Sequence, residues 1–114
     1  MAAQAAKRIN KVGFLVAMQE EAAPFIGALK LQKRAPHARA PIVVHEGSYK
    51  DATVLVYSPG VVDGKSLVGT DAAFLTAYLA ADDGLDLFVN AGTCGGFAKR
   101  GGKVGDVYCC DAVK

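Results

Sequence analysis

The order of apolar and polar residues begins with a strand that turns sharply into a helix. Positions 12–18 form an almost unbroken apolar run with β-branched and aromatic members, which predicts a strand buried on both faces near the middle of a sheet. Gln19 and two glutamates follow, and after them come Pro24 and apolar residues at the spacing of one helical face. Acidic residues and a proline are typical of a first helical turn, so a helix is predicted to start here.

Later apolar runs predict a hairpin and a second helix. The strand-like segments 42–49 and 52–57 are separated by two residues, a spacing that fits a β-hairpin. A loop through Gly64 then leads into a helix that ends at Gly84. Tyrosines and phenylalanines are expected in the core. The face of the second helix predicted to point inward comprises Leu67, Val68, Ala72, Leu75, Tyr78 and Leu79.

Another short apolar run, 85–91, leads into a loop, 92–96, that has three glycines in five residues. A last strand is predicted over 104–110, and residues 1–10 are predicted to form a disordered tail. Strands alternating with helices, together with one hairpin, predict an α/β fold, a three-layer sandwich with a central twisted mixed β-sheet. Ligands of such sheets bind where strands end. The strand ends are 18–21, 58–64 and 92–96.

Composition and charge exclude several classes of protein. Hydrophobic residues make up 52% of the chain and charged residues 21%, a balance typical of a globular protein with a core. The net charge of +2 is too small to indicate a nucleic-acid partner, and no apolar run reaches the roughly 18 residues that span a membrane. Three cysteines, two of them adjacent, fit reduced thiols in the cytoplasm better than a disulfide framework. No zinc-ligand spacing occurs, so neither a metal nor a cofactor is expected.

Two carboxylates, Glu20 and Glu21, directly follow the first predicted strand. Both can simply favour the helix N-terminus, where a negative charge stabilises by about 0.3 to 1 kcal/mol. One of them can instead face a cleft at the strand end and accept a proton from water. The pattern of residues leaves both interpretations open.

The glycines of the 92–96 loop let the backbone approach a flat ligand closely, although a tight turn explains them equally well. The loop matches neither the dinucleotide-binding pattern nor the P-loop. Its sequence GTCGG does fit a nucleophile elbow in which Cys94 replaces serine. In that class the histidine follows the nucleophile, whereas His37 and His45 both precede Cys94. A cysteine nucleophile would therefore need a base from elsewhere.

Four blocks of sequence, taken together, resemble one enzyme family. They are VGFLVAMQEEAAPF at 12–25, the stretch 58–65 that ends in Gly-Lys, DLFVNAGTCGGF at 86–97, and KVGDV at 103–107. In this order and at these separations they are similar to the 5′-methylthioadenosine/S-adenosylhomocysteine nucleosidases, and especially to the plant branch. The resemblance spans nearly all of this chain but only the first half of a family member.

The resemblance implies a nucleoside phosphorylase-like fold, a homodimer, and hydrolysis of the N-glycosidic bond of 5′-methylthioadenosine. Adenine and a 5-thioribose would be released, as in methionine salvage. It also implies that Glu21, rather than Glu20, polarises the attacking water and that the hydroxyl of Thr93 helps to hold this water. The implied substrate-binding residues are Met18 under the ribose, and Cys94 and Gly95 in the wall of the adenine pocket.

By the same resemblance, residues 1–114 correspond to the N-terminal half of a nucleoside phosphorylase/nucleosidase-like domain, so the fold of this chain alone is incomplete. The family's acid for adenine, its ribose-binding glutamate and an arginine near the water would lie beyond Lys114, so little turnover is expected from this piece alone. Two alternatives stay open: a phosphate-dependent nucleoside phosphorylase of the same superfamily, and a non-catalytic nucleoside-binding or storage relative. A carboxylate beside an incoming phosphate would repel it, which argues against the phosphorylase.

Overall fold

The computed structural model of the chain describes residues 5–113. Its first strand lies inside a five-stranded sheet with parallel neighbours on both sides, which confirms the predicted central strand. The strand starts one residue before the apolar run and ends two residues before the end of that run. The helices and strands, in chain order, are β1 (Lys11–Val16), α1 (Gln19–Leu29), β2 (Gln32–Lys33), β3 (Val43–Tyr49), β4 (Ala52–Ser58), β5 (Val61–Val62), β6 (Lys65–Ser66), α2 (Thr70–Ala80) and β7 (Leu87–Ala91).

The main sheet is mixed, with the order β2-β3-β4-β1-β7. Strands β3 and β4 form the predicted antiparallel hairpin, joined by the two residues Lys50 and Asp51. Strand β4 then pairs in parallel with β1, and β1 pairs in parallel with β7. The short strand β2, which the apolar pattern did not indicate, pairs with β3 at the edge. A separate small hairpin of β5 and β6 occupies the loop before α2.

Helices α1 and α2 cover opposite faces of this sheet. One core joins Val54 and Val56 of β4 to Ala22 of α1, and the other joins Leu55 of β4 to Ala80 of α2. Successive side chains of a strand point to opposite faces, so β4 supplies both cores. The predicted three-layer α/β sandwich with a central mixed sheet is therefore confirmed.

Helix α1 starts at Gln19, as the sequence predicts, but Pro24 lies in its second turn rather than its first. The proline ring removes one backbone hydrogen bond within the helix. At the other end Lys30 adopts the left-handed conformation (φ 52°), and the N–H of Leu31 donates to the carbonyl of Ile26 at 3.0 Å. This contact closes the helix and turns the chain back toward the edge of the sheet.

The face that α2 turns to the sheet differs from the predicted one. Thr76 and Ala80 are fully buried, whereas Leu75 is 39% exposed and Tyr78 is 67% exposed. The helix is apolar on most sides, so periodicity alone does not select its inner face, and the smaller side chains allow the closer approach. Thr76 tolerates burial because its hydroxyl donates to the carbonyl of Ala72 at 2.7 Å. Other residues predicted in the core and found exposed are Val68, Tyr49, Phe74, Phe88, Phe97 and Tyr108.

The strand predicted over 104–110 is also wrong, because this segment adopts turns and irregular backbone. Val104 and Val107 project fully into solvent. An apolar alternation forms a strand only where a neighbouring strand and a buried face receive it. Neither is provided for this segment within residues 5–113.

The tail predicted over 1–10 includes residues 1–4, which lie outside the described residues. In the remainder, the ammonium of Lys7 lies 3.0 Å from a carboxylate oxygen of Asp86, and the N–H of Asn10 donates to the other oxygen at 2.9 Å. Arg8 forms an ion pair with Asp51. These contacts connect the segment before β1 to the hairpin turn and to the start of β7.

A polar cluster joins the end of α2 to the sheet. The hydroxyl of Tyr57 donates to Asp83 at 2.5 Å, and Arg34 donates to both carboxylate oxygens of Asp83 at 3.3 Å. Arg34 also donates to Glu46 at 2.6 Å, and Lys11 donates to the backbone carbonyl of Asp83 at 2.6 Å. Burial acts to raise the pKa of Asp83, but the hydrogen bonds from Tyr57 and Arg34 outweigh it and hold this pKa below its ordinary value.

Replacement of Asp83 tests this cluster. We expect Asp83→Ala to lower the free energy of unfolding by about 1 to 3 kcal/mol, because two donors lose their shared acceptor. The folded-state pKa of Asp83 is depressed, so its contribution is complete above the unfolded pKa and disappears as pH falls through the folded pKa. Urea denaturation at neutral and acidic pH measures both effects. The control is Asp82→Ala in the same turn, and equal losses for the two variants would contradict the assignment.

Candidate active site

The parallel strands β1 and β7 end side by side at one rim of the sheet. Val16, the last residue of β1, pairs with Ala91, the last residue of β7. The chain leaves β1 through Met18 into α1, and it leaves β7 directly into the 92–96 loop. Two of the strand ends that the sequence singled out therefore meet at this rim.

Glu21 and Thr93, which are 72 residues apart in sequence, are in direct contact there. The N–H of Thr93 donates to Oε1 of Glu21 at 3.0 Å, and the hydroxyl of Thr93 donates to the same oxygen. Glu21 is the third residue of α1, and helical side chains lean toward the helix start. This position directs the carboxylate of Glu21 at the end of the neighbouring strand β7.

These hydrogen bonds lower the pKa of Glu21. The bond from the Thr93 hydroxyl is the largest influence and the bond from the Thr93 N–H the next, and together they lower the pKa of Glu21 against a small opposing effect of burial. The backbone of Met18 lowers it further. The hydrogen bonds therefore further favour the ionised form of Glu21, which is the usual form of a glutamate at neutral pH. Both bonds from Thr93 end on Oε1, so Oε2 keeps lone pairs for another donor such as water.

Gly92 leaves space beside the second carboxylate oxygen. A Cβ atom added at this residue would lie 3.5 Å from Oε2 of Glu21 and 3.8 Å from Oε1. A side chain there would touch the carboxylate and cover part of it. The sequence identified Gly92 only as one of three loop glycines and did not anticipate the Thr93 N–H as a donor. The sequence signal that could have indicated this open space was the glycine directly before Thr93.

Two open depressions are formed by the glycine-rich loop, and Thr93 lines the larger of them. One has a volume of about 550 Å³ and is bordered by the first residues of the glycine-rich loop and by 102–108. A second, of about 290 Å³, is bordered by Cys94 and Gly95. Met18 precedes the first residue of α1 and is 42% exposed. Cys94 lines the first hollow together with Thr93, and Cys94 and Gly95 line the second. The binding roles of Met18, Cys94 and Gly95 stay predictions.

The second glutamate of the pair, Glu20, is exposed on the first turn of α1. No hydrogen bond to its carboxylate occurs within the described part of the chain. Its position fits the simpler interpretation, a negative charge near the helix N-terminus. The structure therefore separates two adjacent carboxylates that the sequence pattern alone left equivalent.

Other kinds of site find little support in residues 5–113. The thiol of Cys94 is free and exposed, but His45 lies in β3 and His37 in the loop before it, with β4 and β1 between β3 and β7. Neither histidine is placed to act as a base for Cys94. No group of three potential metal-binding side chains occurs in this range. In the same range, no helix combines the length and the apolar character needed to cross a membrane.

Comparison with known proteins defines the class. The sequence profile described as the phosphorylase superfamily matches residues 11–113, which is nearly the whole chain. The chain belongs to this superfamily. The profile covers both halves of the contact described above, Glu21 and Thr93.

Two curated relatives from Arabidopsis thaliana narrow the similarity. A 5′-methylthioadenosine/S-adenosylhomocysteine nucleosidase is 38% identical over 113 residues, covering 92% of this chain and 44% of the relative. A 5′-methylthioadenosine nucleosidase is 37% identical over 112 residues, covering 92% of this chain and 42% of the relative. The similarity to this family that the four sequence blocks indicated is confirmed. The chain spans less than half the length of these relatives.

Solved structures show a similar fold. The apo form of Arabidopsis thaliana 5′-methylthioadenosine nucleosidase superposes with a TM-score of 0.77 at 32% identity, covering 88% of this chain and 43% of the other. The futalosine hydrolase of Helicobacter pylori superposes with a TM-score of 0.55 at 22% identity, over 75% of this chain and 35% of the other. The latter likeness concerns the fold alone.

Substitution of Thr93 tests the cause of the lowered pKa of Glu21. We expect Thr93→Val to raise the pKa of Glu21 toward its ordinary value, because the largest lowering influence is the Thr93 hydroxyl. Carboxyl chemical shifts followed through a pH titration of the labelled chain measure this change. Thr93→Ser keeps a hydroxyl at the same place and should leave the pKa where it is. An unchanged pKa in the valine variant would show that the hydroxyl does not hold the carboxylate.

Proposed function

We propose that the protein carrying this chain hydrolyses the N-glycosidic bond of 5′-methylthioadenosine, and possesses some activity on S-adenosylhomocysteine. The products of this reaction are adenine and a 5-thioribose. The proposed role of the reaction is methionine salvage, and its proposed location is the cytoplasm. The observation that supports this most is the contact of an ionised Glu21 with Thr93 at the ends of β1 and β7. The nucleosidase relatives, at 37–38% identity, support the choice of substrate.

In this proposal Glu21 orients the attacking water and stabilises positive charge. Glycosidic cleavage passes through an oxocarbenium-like transition state, which a nearby carboxylate stabilises electrostatically. The lowered pKa makes Glu21 a weak base toward free water. Proton transfer is therefore expected late, after the water has begun to bond to the ribose carbon and has become more acidic. Oε2 is the oxygen available to receive that proton.

Thr93 and Gly92 are proposed to position the attacking water without reacting themselves. The Thr93 hydroxyl donates a hydrogen bond to Glu21, so its oxygen keeps lone pairs that can accept a hydrogen bond from the attacking water. Gly92 leaves the approach to Oε2 open. Cys94 and Gly95 line the hollow proposed for adenine, and Met18 lies at the rim proposed for the ribose.

Departure of adenine needs an acid, which the family resemblance assigns to a residue outside this chain. The chain alone is accordingly proposed to supply the water-activating half of the site and to turn over little or no substrate. Its coverage of 42–44% of the curated relatives supports this division.

The main alternative is a phosphate-dependent phosphorylase, and two cations near the site, which could bind phosphate, favour it. Lys103 borders the larger hollow, and Arg100 borders the smaller one, where its guanidinium lies 5.7 Å from the ring centre of Phe97. An ionised Glu21 opposes an incoming phosphate, and this repulsion favours water as the nucleophile.

An assay of adenine release separates these functions. We expect the protein expressed from the complete coding sequence to release adenine from 5′-methylthioadenosine in phosphate-free buffer. Glu21→Gln should lower kcat by roughly 100- to 10,000-fold, because the variant neither stabilises the cation nor accepts the proton. Glu20→Gln is the matched control and should retain nearly full activity.

Strict dependence on phosphate would favour the phosphorylase instead. Tight nucleoside binding without release of adenine would favour the non-catalytic relative. Equal losses for the two glutamine variants would overturn the role given to Glu21. The 114-residue chain, assayed in parallel, measures how much turnover this part supports by itself.

A homodimer is proposed for the same protein on the basis of its apolar surface. Phe74 and Tyr78 lie one turn apart on α2, are 70% and 67% exposed, and stack with ring centres 6.2 Å apart. Val61 and Val62 of the small hairpin are also exposed, at 48% and 44%. Exposed aromatic and aliphatic side chains of this kind favour association with another protein surface.

Sedimentation velocity of the protein tests this interface. We expect Tyr78→Glu to shift the protein from dimer toward monomer, because a charge would be buried in an apolar contact. Tyr49→Glu changes a similarly exposed tyrosine, 55% accessible, at the hairpin turn and should not alter the mass. A monomeric unsubstituted protein, or dimers that persist in the α2 variant, would rule out this surface.

A further inference from the structure

The far end of the glycine-rich loop lies against a tyrosine from the segment that follows it. No hydrogen bond to residues 94–96, from backbone or side chain, occurs within the described part of the chain. A Cβ atom added at Gly96 would lie 3.7 Å from the hydroxyl oxygen of Tyr108, which is the nearest atom outside the adjoining residues. Hydrogen bonds of Thr93 therefore hold the near end of the loop, whereas the far end is in contact with Tyr108.

The hydroxyl group of Tyr108 is itself held in place by a turn. It donates to Oδ2 of Asp106 at 3.3 Å, and the N–H of Lys103 donates to the same oxygen at 2.9 Å. The N–H of Asp106 donates in turn to the carbonyl of Lys103 at 3.1 Å, which closes a β-turn over 103–106. Gly105 (φ 92°) supplies the left-handed conformation that several types of β-turn require. The tyrosine hydroxyl thus rests on a turn that a backbone and a side-chain hydrogen bond both fix.

Gly102 allows the tyrosine and the end of the loop to approach each other closely. A Cβ atom added at Gly102 would lie 3.1 Å from the hydroxyl oxygen of Tyr108 and 3.2 Å from the backbone N and O of Phe97. These distances are shorter than ordinary van der Waals contacts, so a side chain at this position would push the two segments apart. The approach of Tyr108 to the loop is therefore built into the sequence.

The ring of Tyr108 belongs to the walls of the candidate site. It lines both hollows, and Cys94, Gly96 and Gly102 also border both. A tyrosine has only two rotatable bonds before its hydroxyl, so fixing it costs little conformational entropy. The contact of Tyr108 with the loop therefore determines the shape of the smaller hollow at low entropic cost.

We propose that Tyr108 is a positioning residue whose hydroxyl, held by Asp106, fixes the far end of the glycine-rich loop and so sets the affinity of the site for adenine. The inference rests on the function proposed above, in which adenine occupies the hollow lined by Cys94 and Gly95. The near end of the loop has a separate anchor in Thr93, so the water-activating contact does not depend on Tyr108. Loss of the hydroxyl weakens binding of the base and leaves the chemical step nearly unchanged.

Calorimetric titration with adenine tests this role in the protein expressed from the complete coding sequence. We expect Tyr108→Phe to weaken adenine binding about two- to tenfold, the usual effect of one hydrogen bond, and to change kcat for 5′-methylthioadenosine by less than about twofold. Asp106→Ala should weaken adenine binding at least as much. Asp106→Asn keeps an acceptor oxygen and should retain most of the affinity. Tyr49→Phe, which removes an exposed phenolic hydroxyl at the hairpin turn, is the matched control.

Each other result decides against the assignment or for it. Unchanged adenine affinity in Tyr108→Phe, an equal loss in Tyr49→Phe, or a fall in kcat without a change in affinity would overturn the role of Tyr108. A loss in Asp106→Asn as large as that in Asp106→Ala, or failure of the unsubstituted protein to bind adenine, would overturn it as well. Weaker adenine binding in Tyr108→Phe, in a protein that releases no adenine from 5′-methylthioadenosine, would support the positioning role while contradicting the proposed hydrolysis.

Discussion

The hydrogen bonds from Thr93 to Glu21 depend on the parallel register of β1 and β7. Val16 pairs with Ala91 at the last step of both strands, so the residues that follow leave the sheet at the same height. A slip of one residue would turn the side chains of β7 to the opposite face, and a slip of two would move Thr93 by about 7 Å. The apolar faces of the two strands therefore hold the carboxylate and the hydroxyl in contact, although neither residue belongs to the core.

This contact also determines which chemistry the carboxylate can perform. Two donors on one oxygen hold the negative charge in place, which suits the stabilisation of a developing cation and the orientation of a water molecule. The same donors make the carboxylate less basic. A site that needed a strong base at neutral pH would place the carboxylate in apolar surroundings instead. The electrostatics thus fit the role proposed for Glu21, which stabilises a cation and orients water, better than the role of a strong base.

The sequence predicts some parts of the fold and of the candidate site and leaves others undetermined. A buried strand appears in the sequence as an apolar run whatever its neighbours are, so the sequence predicts β1 and the hairpin. The same runs place Glu21 and Thr93 directly after strand ends. The choice of Glu21 over Glu20 came from the family resemblance, because two adjacent carboxylates have the same local signal. The inner face of α2 and the state of 104–110 depend on what packs against them, and local pattern carries no information on that. Arg34 is a similar case, since its partners Glu46 and Asp83 lie 12 and 49 residues away.

Glu21 and Thr93 come from parts of the molecule with very different burial. The chain before Glu21 passes through β1, whose neighbour β4 is buried from Val54 to Ser58, and Ala22 beside it is 1% exposed. Thr93 instead follows β7, where Leu87 and Phe88 are 45% and 40% exposed and pairing within residues 5–113 occurs only with β1. The hydrogen bonds therefore attach an exposed loop to a rigid anchor. Because they require the carboxylate as acceptor, protonation of Glu21 weakens both the charge of the site and the placement of the loop that lines it, so its chemistry and its shape depend on the same proton.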